Sequence, residues 1–267
     1  MKILIIKLGY SETFVNDDNR IVSLGDVLRT TPIIEALNYK YPESKIYWLT
    51  SKEAFILVDG AKFLNHTFVY STDFNAEFDL VINLEKTEEI FKMLAKLKYK
   101  KLIGLEDTNL KFNHLERMHS WQEKIFYILG LDWREQRYNL GYKPNSKVKY
   151  QVGLNYLVGK KWPQKAMNMQ KWQGLAKCLE KLGINYSWQE GKENLDEYIE
   201  WINSCQTIIT QDSLGLHIAL ALNKKTIGIF GPTNPKEIYD YGNFTFLKDK
   251  KDINNIKLEE ILDILEY

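Results

Sequence analysis

Short apolar runs alternate with helical patterns along the whole chain, and that alternation admits few folds. A strand that is apolar at nearly every position is buried on both faces, and such strands belong to parallel sheets covered by helices. In the first half the runs predict strands over residues 2–7, 45–49, 67–70, 80–83 and 101–104. Helices are expected over 26–40, 52–58, 87–96 and 120–129. The pattern then restarts with a strand over 150–157, a helix over 170–182, a short strand over 185–188 and a helix over 195–203. A strand over 207–210, an apolar helix, a strand ending at Phe230, a strand over 244–248 and a helix over 258–265 complete it. The polar segment Gly141-Tyr142-Lys143-Pro144-Asn145-Ser146-Lys147 separates the two repeats, so two domains are expected, 1–143 and 144–267.

Composition removes several function classes. The chain has 267 residues, 45% of them hydrophobic and 27% charged, which is ordinary globular usage and enough for two cores. A net charge of +1 and the lack of a basic recognition arm argue against nucleic acid as a partner. Cys178 and Cys205 lack the spacing of a zinc site or a disulfide framework, and read as buried thiols in a reducing compartment. The apolar start at residues 3–6 is too short for a signal peptide, and no window approaches a membrane span. A cytoplasmic protein is expected, at most peripheral to the inner face of the membrane. The acidic segment 11–20 does not have the ligand spacing of a calcium loop, and no metal is expected.

The segment most suggestive of chemistry is Gln211-Asp212-Ser213-Leu214-Gly215-Leu216-His217, between an apolar strand and an apolar helix. Helix N-termini carry unpaired N–H groups and the positive end of the dipole, so this turn suits a diphosphate. The next strand ends in Gly231-Pro232-Thr233. Both turns therefore fall at the carboxyl ends of neighbouring parallel strands, where open α/β sheets bind ligands. A sugar nucleotide fits that setting.

Asp212 to His217 followed by Phe230-Gly231-Pro232-Thr233-Asn234-Pro235 resembles the C-terminal signature of glycosyltransferase family 9, the ADP-heptose:lipopolysaccharide heptosyltransferases. Near the start, Lys2-Ile3-Leu4-Ile5-Ile6-Lys7 and Leu24-Gly25-Asp26-Val27-Leu28-Arg29-Thr30-Thr31-Pro32 are similar to the family's first strand and its Gly-Asp helix start. Mid-chain, Gly153-Leu154-Asn155 and Lys160-Lys161-Trp162-Pro163 resemble its strand and Lys-x-Trp-Pro loop. The chain differs from the family in having Leu214 before Gly215, a long polar connection over 10–23, and a short length.

The resemblance implies a GT-B fold, two Rossmann-like domains facing across a cleft. The N-terminal domain would bind the acceptor and the C-terminal domain an ADP-activated heptose or related sugar. The reaction would be an inverting, metal-independent glycosyl transfer to a glycan or other surface-polysaccharide acceptor, without a cofactor. The same implication makes Asp26 the general base, although a helix-terminal Asp is also a natural cap with Arg29 as a local ion-pair partner. It places Lys160 on the donor diphosphate, with Lys161 as the neighbour that could stand in for it, while a lysine pair in a loop is more commonly a solvated surface. Asp212 suits sugar hydroxyls or helix capping. Ser213, Leu214 and Gly215 would offer backbone N–H groups to the phosphates, and His217 would face ligand or sheet. Gly231 and Thr233 would approach the nucleotide from the second turn, Asn155 would add a polar contact or hold the strand-end turn, and Glu190 would bind the ribose. Two alternatives remain open: a catalytically silent nucleotide-binding scaffold for glycan assembly, and a sugar-nucleotide epimerase or hydrolase on the same fold.

Overall fold

A computed structural model describes residues 1–10, 22–105, 120–159 and 163–265. The chain divides into two compact units, Met1–Tyr142 and Lys143–Tyr267.

Unit 1 contains a five-stranded sheet of β1 (Lys2–Ile6), β2 (Lys45–Thr50), β3 (His66–Val69), β4 (Glu77–Asn83) and β5 (Lys98–Gly104). All are parallel, in the order β3-β2-β1-β4-β5. Ile3, Leu4, Ile5 and Ile6 are wholly buried, as a central strand with both faces covered requires. The covering helices are α1 (Leu24–Leu28), α2 (Ile33–Lys40), α3 (Phe55–Val58), α4 (Glu88–Leu94) and α5 (Trp121–Ile128). The single helix expected over 26–40 is thus two helices, interrupted at residues 29–32. Pro32 disfavours helical geometry in the residue before it, and the Thr31 hydroxyl bonds to the Leu28 carbonyl at 2.7 Å, which supports the break.

Unit 2 repeats the plan with β6 (Tyr150–Asn155), β7 (Tyr186–Trp188), β8 (Cys205–Gln211), β9 (Lys225–Phe230) and β10 (Phe244–Lys248). These too are all parallel, in the order β10-β9-β8-β6-β7. Helices α6 (Met169–Lys181), α7 (Leu195–Asn203), α8 (Leu214–Ala221) and α9 (Leu258–Leu265) cover it. One face of the core joins Val152, Leu154, Ile209, Ile227 and Ile229 of the strands to Trp172, Leu175 and Leu179 of α6. Helix α8 is apolar all round and nearly all buried, so it is a core element and not a half-exposed cover.

In each unit the chain starts in the middle of its sheet, lays strands to one side, then crosses to the other. The crossing defines a switch point, between β1 and β4 in unit 1 and between β6 and β8 in unit 2. At the first, the Glu85 carboxylate is buried against Lys7 Nζ at 3.0 Å and accepts the Leu8 and Gly9 backbone N–H groups at 2.7 and 2.8 Å. Glu85→Ala would leave two N–H groups without their acceptor and the buried Lys7 ammonium without its counter-charge, with only the Leu84 carbonyl at 3.2 Å still accepting from it. Loss of one partner from a buried pair costs about 3–5 kcal/mol. Urea unfolding should show a loss of that order in unit 1, with Glu85→Gln distinctly milder because an amide oxygen can still accept from the loop.

Candidate functional site

The switch point of unit 2 is organised by one buried amide. Asn155, the last residue of β6, is fully buried opposite Thr210 of β8. Its Nδ2 donates to Thr210 Oγ1 at 2.7 Å and to Ser213 Oγ at 3.0 Å, and its Oδ1 accepts from the Tyr198 hydroxyl of α7 at 2.6 Å. Asn155 therefore ties β6, β8, α7 and the start of α8 together. The bond to Ser213 has a chemical consequence. Ser213 is the N-cap residue of α8, yet its side chain does not cap the helix. With the hydroxyl held by Asn155, the first N–H groups of α8 lack their usual side-chain acceptor, the condition in which a helix start receives an anion.

Gly215 serves this network directly. A Cβ there would lie 2.3 Å from the Tyr198 hydroxyl and 2.4 Å from Asn155 Nδ2. The glycine one position later than in the family pattern is thus required by the packing of α8 onto Asn155 and Tyr198.

Asp212 precedes the cap and does not do the capping. Its Oδ2 receives Lys165 Nζ at 2.6 Å, and both side chains are only 17% exposed. Burial opposes ionisation of Asp212, but the charge and hydrogen bond of Lys165, with His217 adding, hold its pKa below the ordinary aspartate value. His217 lies in the first half of α8 and is buried. Lys165 ends a 3-10 turn, Pro163–Lys165, in the loop after β6. Gln211, the buried last residue of β8, fixes that loop: its Nε2 donates to the Tyr156 carbonyl at 2.8 Å and its Oε1 accepts the Met167 N–H. The side chain holds both ends of the segment that carries the Lys-Lys-Trp-Pro motif. Lys160 itself, with Lys161 and Trp162, lies outside the described residues.

Gly231 and Thr233 follow β9, next to β8 in the sheet. The Thr233 Oγ1 is buried without a hydrogen bond of normal geometry, while its carbonyl accepts from Lys248 Nζ at 2.8 Å. Glu190 is exposed beyond the end of β7 and accepts from Ser187 Oγ at 3.2 Å. Unit 2 thus gathers Asn155, Asp212, Ser213, Leu214, Gly215, His217, Gly231 and Thr233 along one end of β6, β8 and β9, with Glu190 at the far strand. Lys165 and Tyr198 are residues that sequence reading missed, and Gln211 stood in the singled-out segment without a role assigned to it. The signal for Lys165 was a third lysine beside the Lys-Lys-Trp-Pro motif, and Tyr198 gave none.

In unit 1, Asp26 lies in the first turn of α1 behind the N-cap Ser23. Its Oδ1 pairs with Arg29 Nη2 at 2.6 Å, and the Arg29 guanidinium lies over the Trp121 ring at 4.4 Å. The Asp26 side chain is 36% exposed, enough to meet a ligand. The helix start is anchored by Ser23 N–H donating to the Gly9 carbonyl at 2.8 Å. Gly9 has φ +86°, a conformation that favours glycine. Most of the 10–23 connection lies outside the described residues.

Residues 162–251 match the family described as glycosyltransferase family 9 (heptosyltransferase). The match lies wholly within unit 2 and covers about a third of the chain. A 64-residue stretch is 38% identical to lipooligosaccharide heptosyltransferase 2 of Haemophilus influenzae, covering 24% of this chain and 18% of that protein. A shorter stretch of 45 residues, also 38% identical, matches lipopolysaccharide heptosyltransferase 2 of Escherichia coli K12 over 13% of its length. The matched segments therefore span less than a fifth of these relatives. The fold likeness is broader. A family 9 glycosyltransferase from Veillonella parvula superposes with a TM-score of 0.74 at 16% identity, covering 99% of this chain and 96% of that one. The E. coli heptosyltransferase WaaC, solved with ADP, gives 0.74 at 15% identity over 100% and 99%. The chain thus has the two-sheet GT-B type of fold of these structures. Among its described residues no group of three or more potential metal ligands forms, and no helix is long and apolar enough to cross a membrane.

The Asn155 network supplies a test of this construction. Gly215→Ala should destabilise unit 2 by about 1–3 kcal/mol, the usual cost of overpacking, because the side chains it meets are held by their own hydrogen bonds. Tyr198→Phe removes one of the clashing atoms and should recover part of that loss in the double variant. Thermal melts of the two single variants and the double variant read the coupling.

Proposed function

We propose that this protein is an inverting, metal-independent glycosyltransferase. It transfers heptose or a related sugar from an ADP-activated donor to a glycan or other surface-polysaccharide acceptor. Unit 2 binds the donor and unit 1 the acceptor. The observation that carries this reading is the α8 helix start at the switch point, uncapped by its own serine and bordered by the Lys165–Asp212 pair. The GT-B fold and the family match of unit 2 support it, and the similar WaaC structure contains ADP.

A contrast between the units favours unit 2 for the nucleotide. In unit 1 the loop N–H groups after β1 already bond to Glu85, and the nearby Lys7 is paired with it. An anion would have to displace a buried carboxylate there. In unit 2 the equivalent edge presents a helix start and a lysine.

The chemistry is a single displacement. The acceptor oxygen bonds to the anomeric carbon as the bond from that carbon to the phosphate oxygen breaks, and the diphosphate leaves with the electron pair. Asp26 takes the acceptor proton, which becomes acidic only as the new bond forms, so a carboxylate paired with Arg29 suffices. Lys160 and the α8 N–H groups offset charge on the departing diphosphate, the work that a divalent cation does in other transferases. Asp212 accepts from sugar hydroxyl groups, and Glu190 binds the ribose. The protein works in the cytoplasm, at most peripheral to the inner face of the membrane.

Two measurements test this reading. ADP should raise the unfolding temperature in the presence of EDTA, with stabilisation of about 2.7 kcal/mol at a hundredfold excess over Kd. An absolute need for Mg²⁺ or Mn²⁺ would remove the metal-independent mechanism, and better protection by UDP would overturn the ADP assignment. In transfer from radiolabelled ADP-heptose, Asp26→Asn should lower turnover by about two to four orders of magnitude with ADP affinity nearly unchanged. Lys160→Ala should weaken both. Near wild-type transfer by folded Asp26→Asn would make Asp26 a structural residue, and ADP binding without transfer to any acceptor fraction would favour the scaffold.

A further inference from the structure

Asp212 presents a problem for the site that holds it. It stands beside the helix start that would receive a diphosphate, and its pKa is held low, so it is ionised near neutral pH. An ionised carboxylate at that position repels the ligand. Some group must cancel the repulsion, and one residue is built to do so. Lys165 Nζ lies 2.6 Å from Asp212 Oδ2, with both side chains largely sheltered from screening by water.

The backbone around Lys165 is fixed on both sides. Ala166 N–H bonds to the Pro163 carbonyl at 3.0 Å, and Met167 N–H bonds to the buried Gln211 side chain at the end of β8. Gln211 immediately precedes Asp212, so the anchor of the lysine's loop and the lysine's partner are adjacent in sequence. Shifting the loop away would break the bond between Met167 N–H and the Gln211 side chain. An ammonium is a compact charge with rotatable donors, able to hold a carboxylate and a phosphate oxygen at once.

We propose that Lys165 is a diphosphate-binding residue of the donor site, additional to Lys160. It neutralises Asp212 and directly contacts a phosphate oxygen of the nucleotide. The inference rests on unit 2 being the donor site. It assigns the two groups opposite effects on nucleoside diphosphate affinity: Lys165 attracts the diphosphate and Asp212 opposes it. Asp212 is retained because it meets the sugar, which ADP lacks.

The test is calorimetric titration of the full chain with ADP and with adenosine, for wild type, Lys165→Gln, Asp212→Asn and the double variant. Loss of a charge-assisted hydrogen bond predicts ADP affinity reduced roughly 10- to 100-fold in Lys165→Gln. Adenosine affinity should be unchanged, because adenosine carries no phosphate. Asp212→Asn should bind ADP at least as tightly as wild type, and the double variant should bind more tightly than Lys165→Gln alone. Raising salt should weaken ADP binding less in Lys165→Gln than in wild type. A purely structural pair predicts otherwise: either single substitution would weaken ADP and adenosine alike. That result overturns the proposal, as does ADP affinity in folded Lys165→Gln within twofold of wild type. If the wild-type protein binds no nucleoside diphosphate at all, the donor-site reading fails and this inference fails with it. Binding by wild type with no loss in Lys165→Gln removes only the role given to Lys165. Melting curves of each variant confirm that the folded state is being titrated.

Discussion

Parallel pairing is the constraint on which the rest of this structure depends. When every strand of a sheet runs the same way, every strand-to-helix turn emerges at one edge, and residues distant in sequence meet there. Asn155, Asp212 and Gly231 follow three different strands, yet the order β9-β8-β6 makes those strand ends neighbours. The same pairing requires crossover helices on both faces, which leaves β1 and β8 almost wholly buried and exposes the turns at their ends.

The two switch points show how one topology can be used in two ways. In unit 1, Glu85 folds its carboxylate back onto the loop after β1, and Lys7 balances the charge. The loop so held continues to Gly9, whose carbonyl receives Ser23 N–H at the start of the helix carrying Asp26. The buried pair therefore fixes a backbone and, through it, the placement of the Asp26 carboxylate. In unit 2 the carboxylate just after the second strand of the switch point is Asp212, which pairs with Lys165. Asn155, at the end of β6, is neutral and turns its donors toward Thr210 and Ser213. The carboxylate of unit 1 takes the loop N–H groups itself, whereas that of unit 2 is held by a lysine and the serine beside it does not cap α8.

Much of this architecture was legible in the sequence because buried parallel strands leave an unmistakable pattern. Ile3-Leu4-Ile5-Ile6 and Thr207-Ile208-Ile209-Thr210 are apolar or β-branched without interruption, and no amphipathic helix reads that way. Element ends were less legible. The pattern over 26–40 is helical on both sides of Pro32, and the local hydrogen bond from Thr31 that favours the break carries no periodic signal. The site was legible where it is local, as at Asp212 to His217, and opaque where it is not. Tyr198 reaches Asn155 across 43 positions and Lys165 reaches Asp212 across 47. Each is an ordinary residue in its own neighbourhood, and only the sheet order brings it to a partner.

The displaced glycine illustrates how a departure from a family pattern can be read physically. A glycine at the start of a helix is usually credited with letting backbone approach phosphate. Here the position is spoken for by protein atoms, since even a methyl group would strike Tyr198 and Asn155. A phosphate at this turn would instead meet the N–H groups of the helix start, whose availability depends on where the Ser213 hydroxyl points and not on the identity of residue 215. Asn155 holds that hydroxyl away from the helix. The shift by one residue is thus compatible with an anion site, provided that Asn155, Tyr198 and Gly215 are kept as a set: any one of them substituted alone either opens a buried polar gap or overfills the junction.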